Sequence, residues 1–393
     1  MKQIFFFSIL SLLIITNCPA QSIKRIDGSS ISTDSLQHKI DYLLKAANVS
    51  GAAIAVFNDN KPVFSRTLGM ANVAEHVPFS DSSVMYGASL AKMVFTYIVL
   101  QMVEEKIIDL DKPLVQYLNK PLPDYDFQTW KRGYQDLRND ERYKKITGRM
   151  CLTHTTGFPN WRWIEEDKKL KILFEPGTRY SYSGEGLYLL QFVLEQITGI
   201  DYETMSQERV FKPLGMKNTS QLWQTRFDNN ICYGHSGDGK PYEINKWKNA
   251  NAAGSMSTTF TDFLKFYTAL INSKGLSPAM FKQMTNLQVR IRSQRQFGPL
   301  SRVDSTDNDN IQLGYGFGVG VFKTPYGRAF FKEGHDDGWG HYTVCFPDKK
   351  IAVVIMTNSD NGESIFKEVL AYAISDTFTS WKWENYVPYD YKK

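Results

Sequence analysis

Ser89 and Lys92 form a Ser-x-x-Lys string that runs directly into the apolar segment Met93 to Val103. On a helix this spacing places hydroxyl and amine one turn apart on the same face. A serine that opens the helix turns its backbone N–H into the site and has the positive end of the helix dipole beneath its oxygen. Leu90, Met93, Val94, Phe95, Ile98 and Val99 cover nearly the whole circumference, the pattern of a helix buried on all sides. A lysine near its start is costly to keep charged, so desolvation should lower its pKa and suit it to act as a base for the serine. On the order of two such strings arise by chance in a chain of this composition, so this one gains its weight from its place.

A nucleophilic serine also needs a group to shuttle its proton and polar groups to line the opposite wall. Pro176 to Gly186 is rich in turns and hydroxyls and precedes an apolar helix. A phenol there, beside a lysine ammonium, would have a lowered pKa and serve as base and then acid. The plainer reading makes these tyrosines packing residues at a helix start. Glu333 to Gly340, with His335, Asp336, Asp337 and Gly338, lies between two predicted strands. There an imidazole and nearby glycines would let a substrate backbone approach, and a backbone N–H could stabilise an oxyanion. A solvated polar histidine is the plainer reading.

The elements that must position these groups read as follows. Residues 22–33 are polar and Ser-rich, a flexible lead-in, and an amphipathic helix runs from Asp34 to near Asn48 on Leu36, Ile40, Leu43, Leu44 and Ala47. Ala52–Phe57 and Pro62–Thr67 read as a β-hairpin. After the Ser89 helix, a short helix ends at Leu118, and 119–149 reads as surface loop with at most one short helix. Helices follow at Glu185–Ile197, closed by Gly199, at Tyr202–Val210 and at Thr261–Ile271; 288–312 is a polar loop. Its Asp304, Asp307 and Asp309 lack the Gly and terminal Glu of a calcium-binding loop and read as solvated. Arg328–Lys332, His341–Phe346 and Ile351–Thr357 are strands, and Ser364–Phe378 a final helix. Strands at both ends with helices between imply an α/β (α+β) fold with an antiparallel sheet flanked by helices. The sheet domain is expected to be discontinuous, 34–85 with 250–393, around an inserted, mostly helical domain, 86–249, that carries the nucleophile helix.

At 393 residues, with 42% hydrophobic and 14% aromatic residues, the chain has ample material for a core. The formal charge of +5 is too mild and dispersed to argue for nucleic acid. Lys2, the apolar run Ile4 to Ile15 and small residues at Cys18 and Ala20 describe a secretory signal peptide over residues 1–20. The run is too short to favour a transmembrane helix. The competing reading makes Cys18 a lipid-anchored N-terminus. Either way the protein is expected to be exported, periplasmic or extracellular. Cys151, Cys232 and Cys345 then remain, and buried, unpaired cysteine is the default for all three. His154, His235, His335 and His341 show no metal-ligand spacing, so no metal or cofactor is expected.

The order of these motifs resembles the serine β-lactamase and penicillin-binding-protein superfamily, most of all its class C-like branch of esterases, D-aminopeptidases and carboxypeptidases. Ser89-Leu90-Ala91-Lys92, Leu152-Thr153-His154-Thr155-Thr156-Gly157, Tyr180-Ser181-Tyr182-Ser183-Gly184, Gly334-His335-Asp336-Asp337-Gly338 and Val353-Val354-Ile355-Met356-Thr357-Asn358 carry the likeness, over roughly 36–375. The resemblance implies Ser89 as acylated nucleophile, Lys92 as its activating partner and Tyr182 as proton shuttle. It implies His335 where many relatives have the lysine of Lys-Thr-Gly, an oxyanion hole from the N–H groups of Ser89 and Gly338, and His154 as a brace behind the site. Two positions depart from the pattern. Gly184 replaces the asparagine of Tyr-x-Asn, and Asp337 stands where glycine is usual, placing a carboxylate where a substrate carboxylate would be held. Both point to esters, amides or peptides rather than to a dedicated β-lactamase. The alternative is a non-catalytic, penicillin-binding-like or peptidoglycan-binding protein using the same cleft.

Overall fold

The computed structural model describes residues 22–127, 129 and 131–391; the expected signal peptide and Cys18 lie outside them. In chain order its regular elements begin with β1 (Ser22–Lys24), β2 (Ser30–Ser32), α1 (Thr33–Ala46), β3 (Gly51–Asn58), β4 (Lys61–Asn72), β5 (Val77–Pro78) and β6 (Val84–Tyr86). Then come α2 (Ala91–Glu104), α3 (Gly148–Leu152), α4 (Gly184–Thr198), α5 (Tyr202–Ser206), β7 (Ser257–Thr259), α6 (Phe260–Ile271) and α7 (Pro278–Met284). The chain closes with β8 (Val289–Arg290), β9 (Gly314–Tyr315), β10 (Gly320–Thr324), β11 (Gly327–Asp336), β12 (Trp339–Phe346), β13 (Ile351–Thr357) and α8 (Phe366–Ile374).

Nine strands form one antiparallel sheet in the order β5-β4-β3-β13-β12-β11-β10-β9-β8. Its centre joins the two ends of the chain, with Ile54 opposite Ile355 and Val56 opposite Val353. Every residue of β3 and β13 is buried, because both faces of the sheet are covered. The period of two sorts the side chains. Ile54, Val56, Val353 and Ile355 pack with α1 and α8, whereas Ala53, Ala55, Val354 and Met356 pack with α2 and the other helices. Asp59 and Asn60 turn the β3–β4 hairpin with φ of 50° and 57°, the left-handed pair that matches the twist of the strands.

Several segments differ from their sequence reading. The lead-in holds the β1–β2 pair, anchored by Ile23 and Ile26, both fully buried. Residues 119–149 bury Leu122, Tyr134, Leu137 and Tyr143 in short 3₁₀ turns. Such turns contribute one or two anchors each and leave no helical period to read. The segment expected as a polar loop contains β8, which pairs with β9. In the acidic loop Asp304, Asp307 and Asp309 pair with Arg179, Lys382 and Arg290. Among the described residues no helix is long and apolar enough to cross a membrane.

Candidate active site

The nucleophile candidate stands in a short 3₁₀ turn, Ala88–Leu90, that feeds α2. Ala88 has φ 44°, a left-handed conformation that costs a residue with a Cβ and persists where the surroundings hold it. Gly87 N–H donates to Met256 O at 2.7 Å and fixes the turn from outside. From Ala91 to Leu100 every residue of α2 is buried. Ser89 itself is partly exposed. Lys92, 1% exposed, donates to Ser89 Oγ at 2.8 Å and to the Ala253 carbonyl. Burial first, and then the charge of Lys332, hold the Lys92 amine well below the ordinary lysine range.

Tyr182 lies between the two lysines, with Lys92 Nζ 5.2 Å and Lys332 Nζ 5.1 Å from its ring centroid. Its buried ring packs against His154 at a tilt of 33°, with the ring centroids 4.3 Å apart. The Lys332 ammonium donates to Tyr182 Oη at 3.2 Å and to Glu333 Oε1 at 2.7 Å, and Gln296 Nε2 donates to the same carboxylate oxygen at 2.7 Å. Burial raises the Tyr182 phenol above its ordinary value, although Lys332 and the nearby Ser89 hydroxyl pull the other way. The sequence reading expected a lowered phenol; the desolvation of a fully enclosed ring outweighs the cation beside it. Lys332 is raised: burial lowers it, but the Glu333 carboxylate and Tyr182 together outweigh that. The two lysines thus divide, one toward the neutral amine and one toward a fixed cation, which is how paired groups acquire different roles.

The remaining expected residues are placed differently. His335 faces solvent, its side chain 61% exposed, with Nδ1 2.9 Å from Glu363 Oε1. The contact made by a strand cation to Tyr182 is made by Lys332, three residues earlier on β11. The Gly338 N–H donates to Asp360 Oδ1 at 2.6 Å, so that donor is occupied. Gly338, at φ 77°, turns β11 into β12. Asp337 is exposed in the same turn and lines a separate pocket with Trp223, Tyr242 and Trp339. Gly184 opens α4, where a Cβ would stand 2.2 Å from the Trp161 ring. Trp161 therefore occupies the space that a side chain at position 184 would need, stacked on Trp163 at 4.7 Å. The loop carrying Trp161 is fixed by Arg162, whose guanidinium grips Glu185 at 2.9 and 2.7 Å with both partners fully buried. His154 is buried and held neutral, chiefly by desolvation, with Nδ1 3.2 Å from the Ser183 nitrogen.

Sequence reasoning missed Lys332, Gln296 and Trp161, and gave Glu333, the first residue of a candidate stretch, no role. One signal was available: strand alternation puts Lys332 on the same face as Phe330, which packs with α2. From Lys332 to Asp336, β11 has β12 on one side and no strand on the other among the described residues, since β10 pairs only as far as Phe331. This open edge lies against the Ser89 turn, where a Cβ on Gly334 would be 3.3 Å from Leu90 Cγ. A cleft of about 390 Å³ adjoins Tyr182, lined by Asn160, Trp161, Ser181, Gln296 and Phe297. Among the described residues no group of three or more His, Cys, Asp or Glu side chains is arranged to hold a metal ion. Cys151, Cys232 and Cys345 are buried free thiols.

The family model described as Beta-lactamase matches residues 36–375. A D-aminopeptidase of Gluconobacter oxydans is 22% identical over 338 residues, covering 82% of this chain and 59% of its own length. A lovastatin esterase of Penicillium rubens is 26% identical over 324 residues, covering 70% of this chain and 79% of its own. The chain spans about three-fifths of the length of the D-aminopeptidases it matches. Among solved structures, the octameric penicillin-binding protein homologue from Pyrococcus abyssi superposes with a TM-score of 0.68 at 19% identity, covering 89% of this chain and 79% of that one. That likeness is one of fold.

Proposed function

The chain belongs to the Beta-lactamase family of serine hydrolases, and from that premise we propose that Ser89 is acylated by an ester, amide or peptide and then released by water. The observation that carries the reading is the 2.8 Å contact between Ser89 Oγ and a lysine amine whose burial favours its neutral form. Neutral Lys92 takes the serine proton as Oγ attacks the carbonyl. Tyr182, held protonated by its burial, donates to the leaving group. Lys332 stabilises the phenolate that forms, and Glu333 and Gln296 keep that ammonium in place. Water then attacks the acyl carbonyl, giving its proton to Tyr182, and Lys92 returns one to Ser89. The Ser89 N–H, at the start of the helical run, has no intrahelical acceptor and serves the oxyanion. With Gly338 engaged by Asp360, the open edge of β11 is the element placed to supply the second donor.

Esters or peptides suit the cleft better than β-lactams, because position 184 lacks the family's side-chain amide and the Trp161 indole fills the space a side chain there would need. Stoichiometric labelling by a fluorophosphonate probe is expected for the wild type and lost in Ser89→Ala; labelling that persists in the variant overturns the assignment. One observation favours a second reading, a penicillin-binding-like protein that acylates without turnover: the occupied Gly338 N–H. Steady-state release of nitrophenol from a short ester separates the two. The N-terminal apolar run supports a reading as an exported protein, and mass spectrometry of the mature N-terminus distinguishes cleavage after Ala20 from lipid attachment at Cys18.

A further inference from the structure

The chain that follows α8 closes a second pocket, of about 370 Å³, behind Phe297. Its walls include the rings of Phe297, Tyr342, Trp381 and Tyr386, and its acidic groups are Glu333, Glu363 and Glu384. Glu333 is 9% exposed; Oε1 accepts from Lys332 and Gln296, whereas Oε2 is buried without a partner. Glu384 Oε1 accepts from the Tyr342 hydroxyl at 2.9 Å, and Glu363 Oε1 meets His335 at 2.9 Å. Burial, and then the Glu333 carboxylate, push Glu384 well above the ordinary carboxylate range. The carboxylates of Glu333 and Glu363 and the carboxyl of Glu384, which burial holds toward its neutral form, thus line the pocket with one buried ammonium, which engages the carbonyl and Oε1 of Glu333, and one exposed imidazole beside them. A desolvated carboxylate oxygen without a donor favours an incoming cation, and the faces of Trp and Tyr rings attract positive charge.

The pocket adjoins the nucleophile site. Gln296 and Phe297 line both this pocket and the cleft beside Tyr182. The Phe297 ring meets the Tyr182 ring edge-on at 5.3 Å and divides the two spaces.

We propose that this pocket is a subsite for a protonated amine or quaternary ammonium, so that the ester or amide cut at Ser89 carries a cationic group lodged behind Phe297. The word substrate rests on the reading of Ser89 as nucleophile; the pocket's preference for a cation does not.

Two measurements test the proposal. Ser89→Ala protein is titrated by calorimetry with choline and with its neutral isostere 3,3-dimethylbutanol. Choline is expected to bind at least tenfold more tightly, and Glu384→Gln and Trp381→Leu, each made in the Ser89→Ala background, are each expected to reduce that preference at least threefold. Equal binding of the two probes, or a preference unmoved by both substitutions, overturns the subsite. With Ser89 intact, kcat/KM is compared for nitrophenyl esters of a trimethylammonio-alkanoate and of its uncharged isostere, and the cationic ester is expected to lead by at least tenfold. If neither ester is turned over, the hydrolase reading fails while the choline titration still decides the pocket. If the neutral ester is turned over but choline shows no preference, the subsite alone fails.

Discussion

Lys92 and Lys332 share one phenol: their ammonium nitrogens lie 5.2 and 5.1 Å from the Tyr182 ring centroid, yet the first is driven toward neutrality and the second held charged. Activity should rise with pH as Lys92 loses its proton, at a pKa below the ordinary lysine value, and fall as Tyr182 loses its own above the ordinary phenol value. Removing the Lys332 charge relieves repulsion on Lys92 and withdraws the cation that holds Tyr182 down. Both limbs of the kcat/KM profile should therefore move to higher pH in Lys332→Met, with a loss of about 10²-fold at the optimum. Lys332→Arg should largely restore the profile. A loss of rate with unmoved limbs would make Lys332 a packing residue.

Gly184 and Trp161 occupy one another's space, so a side chain at 184 must displace the indole. Gly184→Asn should cost about 1–3 kcal/mol of stability by overpacking. Adding Trp161→Ala should recover part of that loss. Urea unfolding of the two single variants and the double variant measures the coupling, and strict additivity would contradict the contact.

The Arg162–Glu185 pair is fully buried, and removing the carboxylate takes the bidentate counter-ion from a guanidinium kept out of water. Glu185→Ala should cost about 3–5 kcal/mol. Replacing both residues by apolar side chains of similar volume should cost far less. Midpoints from chemical denaturation decide the matter.

His335 has its pKa raised above 6.5, first by its hydrogen bond to Glu363. The pair's contribution to stability is therefore full below the unfolded pKa and fades as pH rises through the folded one. Because the side chain is 61% exposed, the contribution is under about 1 kcal/mol. In Glu363→Gln the imidazole pKa should fall toward 6.5, read by NMR titration, with little change in turnover of a neutral nitrophenyl ester. An unmoved pKa would show that the ion pair does not form in solution.

The parts of the site that follow from local sequence were legible. The apolar run behind Ser89 announces a helix with no solvent face, and β3 and β13 announce themselves by unbroken burial-prone residues. Lys332 was hidden because a lysine in a strand ordinarily marks an exposed edge; its burial depends on Glu333 and Tyr182, and the phenol is 150 positions away. Gly184 stood out as a departure from the family pattern, but the Trp161 ring beside it was hidden for the same reason, since a glycine's neighbour cannot be read from the glycine. The strands β8 to β10 are too short to show a period, and their register comes from β11.

The pairing of β3 with β13 also sets an order of events in time. On a ribosome Ser89 emerges about 240 residues before Lys332, which at roughly 5–20 residues per second is a delay of about 12–50 s. During that interval the edge of β3 that β13 will pair with has no partner, and the Ser89 helix has only the β3–β4 hairpin to rest on. The polypeptide becomes competent for chemistry only as its last strand leaves the tunnel, and a nascent chain stalled before Thr357 would present a nucleophile without an opposite wall.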